Sequence, residues 1–368
     1  MNGKWGTDEM RGTSERETPE WAFDGRRHRQ YRFAPDIEQR IRELNVLDNW
    51  HGPLGWTRDL LLVIGSVLLC TGVSWWLYPL ALVVIGSRQR AFSNLLHESA
   101  HNILTADRRL NLLLGTVLTA YPIFQLHYAY KRSHVAEHHP HLGNPDRDPD
   151  LRYFIERKVY QRQSKKRLWW SLVVLPLLGS STWSYLRYLV RNRFGGQHAD
   201  ELAGGSAGSA ARGRRERRDR VVFALFWAVV VGASVAMGWW HLIVLFWLIP
   251  YLTTFQILGW YIELSEHTPL VRDSNISLFM TRNRMSRGLE LFLTGTYADH
   301  RHLDHHLDPR TPYWNLERAR RIRLDDAQYA TVDRSFSGLF HRGRQGQPCA
   351  LADIVGSLAR PAPPRKSE

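Results

Sequence analysis

Residues 221–262 run for 42 positions without one charged side chain. A helix rises 1.5 Å per residue, and about 20 residues cross the hydrocarbon core of a bilayer, so this stretch holds two spans. The knot Gly238-Trp239-Trp240-His241 in its middle reads as the turn between them, with aromatic rings at headgroup level. An ordinary soluble domain has no use for such a run. The mean hydropathy of −0.35 conceals it because charge crowds into 1–59, 88–109, 131–167, 187–220 and 263–368.

A second uncharged stretch, 60–87, is too long for one span and short for two. It is expected to form a span over 60–76, a turn at Tyr78-Pro79 and a helix returning through Ile85. Arg88 and Arg90 are then expected to snorkel to the interface. Residues 110–126 and 168–186 are also apolar, but Lys and Arg flank both ends of each, and Pro176 and Gly179 interrupt the second. Basic residues collect on the cytoplasmic side, so both stretches read as interfacial or re-entrant helices. The expectation is an all-α integral membrane protein with four crossings and two such helices. Both termini and every basic loop fall on the cytoplasmic side, in a bacterial inner membrane. Residues 1–45 contain no apolar h-region of a signal peptide.

The expected organisation is an N-terminal cytoplasmic segment (1–57), a membrane domain (58–318) and a C-terminal cytoplasmic tail (319–368). A flexible Gly/Ala/Ser-rich linker, turning Arg-rich, is placed at 195–219, and the Pro-rich end is expected to be disordered. Lys and Arg number 49 against 35 Asp and Glu, a net charge of +14. These basic residues flank apolar segments, which fits anionic lipid headgroups and excludes nucleic acid as the partner. Two Cys, at 70 and 349, rule out a disulfide framework, a Cys-ligated zinc module and an iron–sulfur cluster.

The histidines carry the chemistry. Of 17, twelve lie in four clusters: His97-Glu98-Ser99-Ala100-His101; His127 with the run from His134 to His141; Glu263-Leu264-Ser265-Glu266-His267; and His300-Arg301-His302-Leu303-Asp304-His305-His306. All four fall at the same membrane edge in a topology drawn from charge and length alone. His97 and His101, four apart, share a helix face. His134/His138/His139 and His302/His305/His306 each offer three imidazoles at short spacing. Imidazole binds Zn, Cu, Fe or Ni, and zinc uses three or four ligands, so this set exceeds one metal. With few carboxylates and no thiolates, two irons are the leading choice.

These residues resemble the membrane fatty acid desaturase superfamily, which also contains lipid and alkane hydroxylases and carotenoid ketolases. The resemblance covers roughly 58–318. It implies three histidine boxes and one further histidine. His97 and His101 match the first box, His134, His138 and His139 the second, His302, His305 and His306 the third, and His267 the extra ligand. The stretch from Thr281-Arg282 through Tyr297 to Pro312-Tyr313-Trp314-Asn315-Leu316 is similar to the C-terminal signature of bacterial members, and Asp148-Pro149-Asp150 also recurs there. Family members often carry Asn four residues before the extra histidine. Here that position is Glu263, which either approaches a metal itself or leaves that role unfilled.

The resemblance implies a non-haem diiron enzyme that uses O2 and external electrons to desaturate or hydroxylate an alkyl chain. A fatty acyl chain is the first substrate expected, with a carotenoid, terpenoid or specialised metabolite as the alternative. No fused electron donor is visible, so a ferredoxin and its reductase are the implied partners. A basic face at Arg157, Lys158, Arg162, Lys165, Lys166, Arg167 and residues 212–220 suits an acidic carrier or, equally, lipid headgroups. Glu98, Glu137, Glu266 and Asp304 are expected to orient the ligands' second ring nitrogens. Supporting places also fall to His141 and His300, and to His127. His28, His51, His198 and His341 read as surface residues.

Two readings from other classes fit less of this pattern. His97-Glu98-x-x-His101 also spells the H-E-x-x-H of zinc proteases, but that leaves seven histidines unexplained and puts Asp146 in a charged loop. A metal transporter needs ionisable groups near the bilayer midplane, where these spans have almost none.

Overall fold

The computed structural model describes residues 28–194 and 207–360. Among them the regular structure is helical, apart from one isolated bridge between Arg29 and Ile276. Three helices are long and apolar enough to cross a membrane: His51–Gly72, Ala211–Ala236 and Trp240–Asp273. Their outward faces carry bare apolar side chains such as Leu61, Leu68, Val229 and Val235. A soluble surface does not expose apolar side chains on this scale, whereas lipid accepts them without cost.

Helix Tyr78–Ala100 folds back on His51–Gly72 and is the central pillar. Its first two turns are apolar and partly exposed, while from Ile85 onward nearly every residue is buried. Here the structure departs from the snorkelling expected of Arg88 and Arg90. Both are buried: Arg88 Nη1 donates to Asp59 Oδ1 at 3.0 Å, and Arg90 Nη1 to Glu263 Oε1 at 3.1 Å. A lone buried guanidinium costs several kcal/mol; a carboxylate on the neighbouring helix removes the need to reach water. The pillar also packs tightly against the last long helix. At Gly86 a Cβ would lie 2.5 Å from Thr254 Cβ and 2.9 Å from the Phe255 amide nitrogen.

Both stretches expected to be interfacial are broken helices. The first combines Arg108–Leu113 with wide turns over Leu114–Ala120; the second runs helical through Leu175–Leu177 and breaks at the turn over 178–181, where Gly179 has φ +80°. Within the expected linker, a helix begins at Ala207 and continues to Ala236, so its Arg-rich half is ordered. Residues 195–206 of that linker and the Pro-rich end at 361–368 lie outside the described residues, as does His198.

The terminal segments pack onto the central body. Ile37 and Ile41 of helix Pro35–Arg42 meet Ala319. Leu351, Ile354, Val355 and Leu358 of helix Ala350–Leu358 join Trp260, Tyr261 and Leu264 in one cluster.

Candidate metal centre

Each histidine box sits at a helix end or on a short helix. His97 occupies the last turn of the central pillar, and His101 follows immediately after its end. His267 is the last residue of Gln256–His267. His302, His305 and His306 share the short helix His302–Leu307. The second box needs a different backbone. On a regular α-helix, residues five apart point roughly 140° away from one another. Residues Arg132–His138 instead form a widened helix with i→i+5 bonding, a form common at functional sites. His134 Nε2 and His139 Nε2 consequently lie 3.1 Å apart.

The nine imidazoles converge in two adjoining groups. Ligand atoms of His97, His101, His134, His139 and His305 lie within 4.8 Å of one another. The same holds for His138, His267 and His306, and for Glu266, His267 and His302. His305 Nε2 stands 3.2 Å from His139 Nε2, and His302 Nε2 stands 3.1 Å from His267 Nε2. Two nitrogens bound at about 2.1 Å to one metal are about 3.0–3.4 Å apart at tetrahedral or octahedral angles, so these separations fit a shared ion. The Nε2 atoms of His97, His101 and His306 are buried with no hydrogen-bond partner, which a metal would supply. The groups adjoin where His139 and His306 stack, with ring centres 4.2 Å apart.

Metal binding needs neutral imidazole. Burial first, and then the crowding of like rings, holds His134, His139, His302, His305 and His306 well below the ordinary 6.5. Burial also opposes charge on His138, but the Asp148 and Asp150 carboxylates outweigh it and raise its pKa to about 9.

Around the rings, hydrogen bonds fix orientation. Glu98 Oε1 lies 3.3 Å from His97 Nδ1, while its Oε2 accepts from the Tyr313 amide at 3.0 Å. His267 Nδ1 lies 3.2 Å from both Met280 O and Thr281 Oγ1. Glu266 comes within 3.6 Å of His302 Nε2, close enough to serve as a donor to the same ion. Asp304 differs from its expected role. Its bonds go to Arg323, Tyr329 and Asn283, so it pins the third-box helix rather than an imidazole. Glu263 also stands apart from both groups, held by Arg90 and the Tyr185 hydroxyl. His300 Nδ1 faces Gly295 O at 3.3 Å, while Glu137 and His141 are half-buried beside the second box. His127 lies behind the first box, its Nε2 3.1 Å from Ser99 Oγ. Three histidines expected at the surface are partly covered: His28 is half-buried, His51 stacks on Trp314, and His341 bonds Glu290.

Asp148 and Asp150 received no role from the sequence. Asp148 caps helix Pro149–Glu156 and accepts from His138 Nδ1 at 2.9 Å. Asp150 Oδ2 lies 3.5 Å from the same nitrogen. The Asp-Pro pair marks a helix start and was the available signal. Five of the nine histidines, with Arg90, Glu263 and several tyrosines, line one cavity.

Residues 73–336 match the family model for fatty acid desaturases. The chain belongs to the fatty acid desaturase family. The chain is also 39% identical over 334 residues to a protein of Bradyrhizobium elkanii named dihydrorhizobitoxine desaturase, a match covering 91% of this chain and 92% of that one. Membership makes it an oxidoreductase, gives the histidine clusters the character of histidine boxes, and fits the three apolar helices of an integral membrane enzyme. The family implies iron and O2 in general terms, with a lipid substrate and an electron donor.

Proposed function

We propose that this desaturase is a non-haem diiron enzyme whose metals are held by His97, His101, His134, His139 and His305 on one side and by His138, His267, His302 and His306 on the other. The observation that carries this reading is the convergence of nine imidazoles into two groups, five of them around one point. Five imidazoles exceed what tetrahedral zinc uses. Bound iron would supply O2 reduction and the oxidation of an unactivated C–H bond. The protein's own contribution is position and dryness. Glu98, Asp148 and Met280 O orient ligand rings, and the cavity would bring substrate against five of the nine histidines.

Desaturation takes one O2, two electrons and two protons, removes two hydrogens from the substrate and leaves two waters. Hydroxylation uses the same inputs and leaves an alcohol and one water. Dihydrorhizobitoxine, named for the relative, is the first substrate proposed here; the fatty acyl chain expected from the sequence is the comparison. The electrons are assigned to a separate carrier of ferredoxin type. The exposed Lys158, Arg162, Lys165, Lys166 and Arg167 form a basic face suited to an acidic protein. The site is placed on the cytoplasmic side of a bacterial inner membrane.

The test is elemental analysis of the purified full chain, followed by O2-dependent conversion of dihydrorhizobitoxine in membranes supplied with a ferredoxin and reductase. Two irons per chain and a product two hydrogens lighter support the reading. One zinc per chain, or turnover retained by His302→Ala, refutes it.

A further inference from the structure

The chain returns to the bilayer at a place its charge pattern hides. Residues 263–368 are densely charged, yet helix Gly288–Thr294 leaves Leu289, Leu291 and Phe292 exposed, Leu289 by 71%. Its one charged residue, Glu290, turns inward. That carboxylate accepts from the Leu339 and Phe340 amides at 2.7 and 3.0 Å and meets His341 Nδ1 at 3.0 Å. The tether brings Phe340, itself 49% exposed, beside the helix. Four large apolar side chains therefore stand bare, with no exposed charge within 288–294.

The depth of this helix follows from its contacts with the central pillar. Ser87 Oγ donates to Leu293 O at 3.0 Å, and Arg88 Nη2 donates to Phe292 O. Ser87 lies nine residues beyond Tyr78 at the pillar's start, about 14 Å along the axis. Arg88 also bonds Asp59, which lies nine residues beyond Trp50 at the opposite membrane edge, again about 14 Å. Trp75 and Trp76 on one side and Trp50 on the other are exposed rings of the kind that mark headgroup level. The hydrocarbon core is about 30 Å thick, so the C-terminal end of Gly288–Thr294 is held well inside it.

The backbone is paired as lipid demands. The last four carbonyls of a helix lack partners within it, and hydrocarbon offers no water to supply them. Here all four are met by protein. Leu291 O accepts from the Gly295 amide at 2.9 Å, Phe292 O from Arg88, Leu293 O from Ser87 and Thr294 O from Arg284 Nη2 at 3.3 Å. At the other end exposed Arg287 precedes the helix, and exposed Arg342 and Arg344 follow Phe340. Long basic side chains there reach phosphate headgroups.

We propose that Gly288–Thr294, with Phe340, is a re-entrant element inserted into the leaflet on the histidine side, and that its partner is the acyl chains of that leaflet. The face continues the lipid-facing surface of the spans, at a depth a water-soluble protein does not reach. His302 follows eight residues after Thr294, and Asn94 Nδ2 ties the intervening Thr296 to the pillar through its O and Oγ1, each at 2.9 Å. The inserted helix thus sets the height of the third box against the bilayer. The inference is independent of which metal the boxes bind.

The test reconstitutes the purified full chain in vesicles of phosphatidylcholine and phosphatidylglycerol and attaches a nitroxide to Leu289→Cys, Phe340→Cys, Leu61→Cys or Arg162→Cys. Native Cys70 and Cys349 are buried, and wild type treated with the label gives the background. Leu61, exposed on the first span, is the lipid reference, and exposed Arg162 is the water reference. The readout is relaxation of the nitroxide by O2, which concentrates in hydrocarbon, against relaxation by a nickel chelate, which stays in water. Positions 289 and 340 are expected to favour O2 as position 61 does. If Phe340→Cys fails to fold, Leu289→Cys decides. A label at 289 that meets the nickel chelate as freely as one at 162 puts the patch in water and overturns the proposal. A label shielded from both reagents is covered by protein, whether a second copy or another chain, and overturns lipid as the occupant.

Discussion

Asp148→Asn removes one charge and keeps the shape, which makes its consequences calculable. Oδ1 of Asp148 accepts from His138 Nδ1 at 2.9 Å, the Asp150 amide at 3.0 Å and the Leu151 amide at 3.2 Å. Oδ2 accepts from the Gly143 amide at 3.1 Å. Every partner is a donor, whereas an asparagine amide has one accepting oxygen. With that oxygen on the helix cap, its NH2 faces the Gly143 N–H; turned over, it faces the cap and His138. One buried donor left unmatched costs about 1–3 kcal/mol, and losing the cap adds about 1 more. The milder orientation wins, so stability should fall by about 1–3 kcal/mol.

The effect on metal should be larger and one-sided. Loss of a carboxylate behind a ligating imidazole weakens binding by about 10–100-fold. His138 belongs with His267 and His306, so iron should leave that group first. The assay is competition with a chelator on purified protein, reading iron per chain beside the unfolding midpoint. A chelator concentration that leaves wild type loaded should take the variant from two irons to one. Loss of both irons together, or retention of both at the wild-type chelator midpoint, would refute the assignment of Asp148 as the group that orients His138.

Replacing any of the nine clustered histidines with Ala should lower iron content and abolish turnover while helical content by circular dichroism stays; His341→Ala, at a ring held by Glu290, should keep both iron and turnover. Gly86→Ala pushes a methyl into Thr254 and the Phe255 backbone and should cost about 1–3 kcal/mol in detergent unfolding. Burial, with help from Lys131, holds His127 at about 4 in the folded state against 6.5 unfolded. Above pH 6.5 neither state binds this proton; below it the unfolded state does first, so stability should fall between pH 6.5 and 4 by on the order of 3 kcal/mol. His127→Gln should flatten that slope. Chelation should lower the unfolding midpoint, because an ion at 100 times its dissociation constant stabilises by about 2.7 kcal/mol per site.

The membrane character and the boxes were legible because both are local. An uncharged run announces a span, and His97 and His101 lie on one face by helical period alone. What escaped depends on partners distant in the chain. Arg88 and Arg90 read as snorkelling because nothing near them in sequence shows Asp59 or Glu263 coming to meet them. Asp304 read as an imidazole's acceptor by adjacency, yet Arg323 and Tyr329, about twenty residues on, claim it. His134 and His139 were grouped by resemblance, but only the widened turn at Arg132–His138 explains how two residues five apart face one point.

The arrangement also gives the adjacent pairs a physical meaning. His97 and His101 serve the first group alone, and His267 the second alone. In the pairs His138-His139 and His305-His306, neighbouring residues point to opposite groups. A single peptide unit therefore separates a ligand of one proposed iron from a ligand of the other, and it does so twice, on facing elements. That double constraint would set the spacing of the two proposed irons. It also explains where the rigid supports are placed. Asp148 holds His138 of the first pair, and the Arg323–Asp304 ion pair at 2.6 Å holds the helix bearing the second. Both supports are buried, so neither yields to solvent.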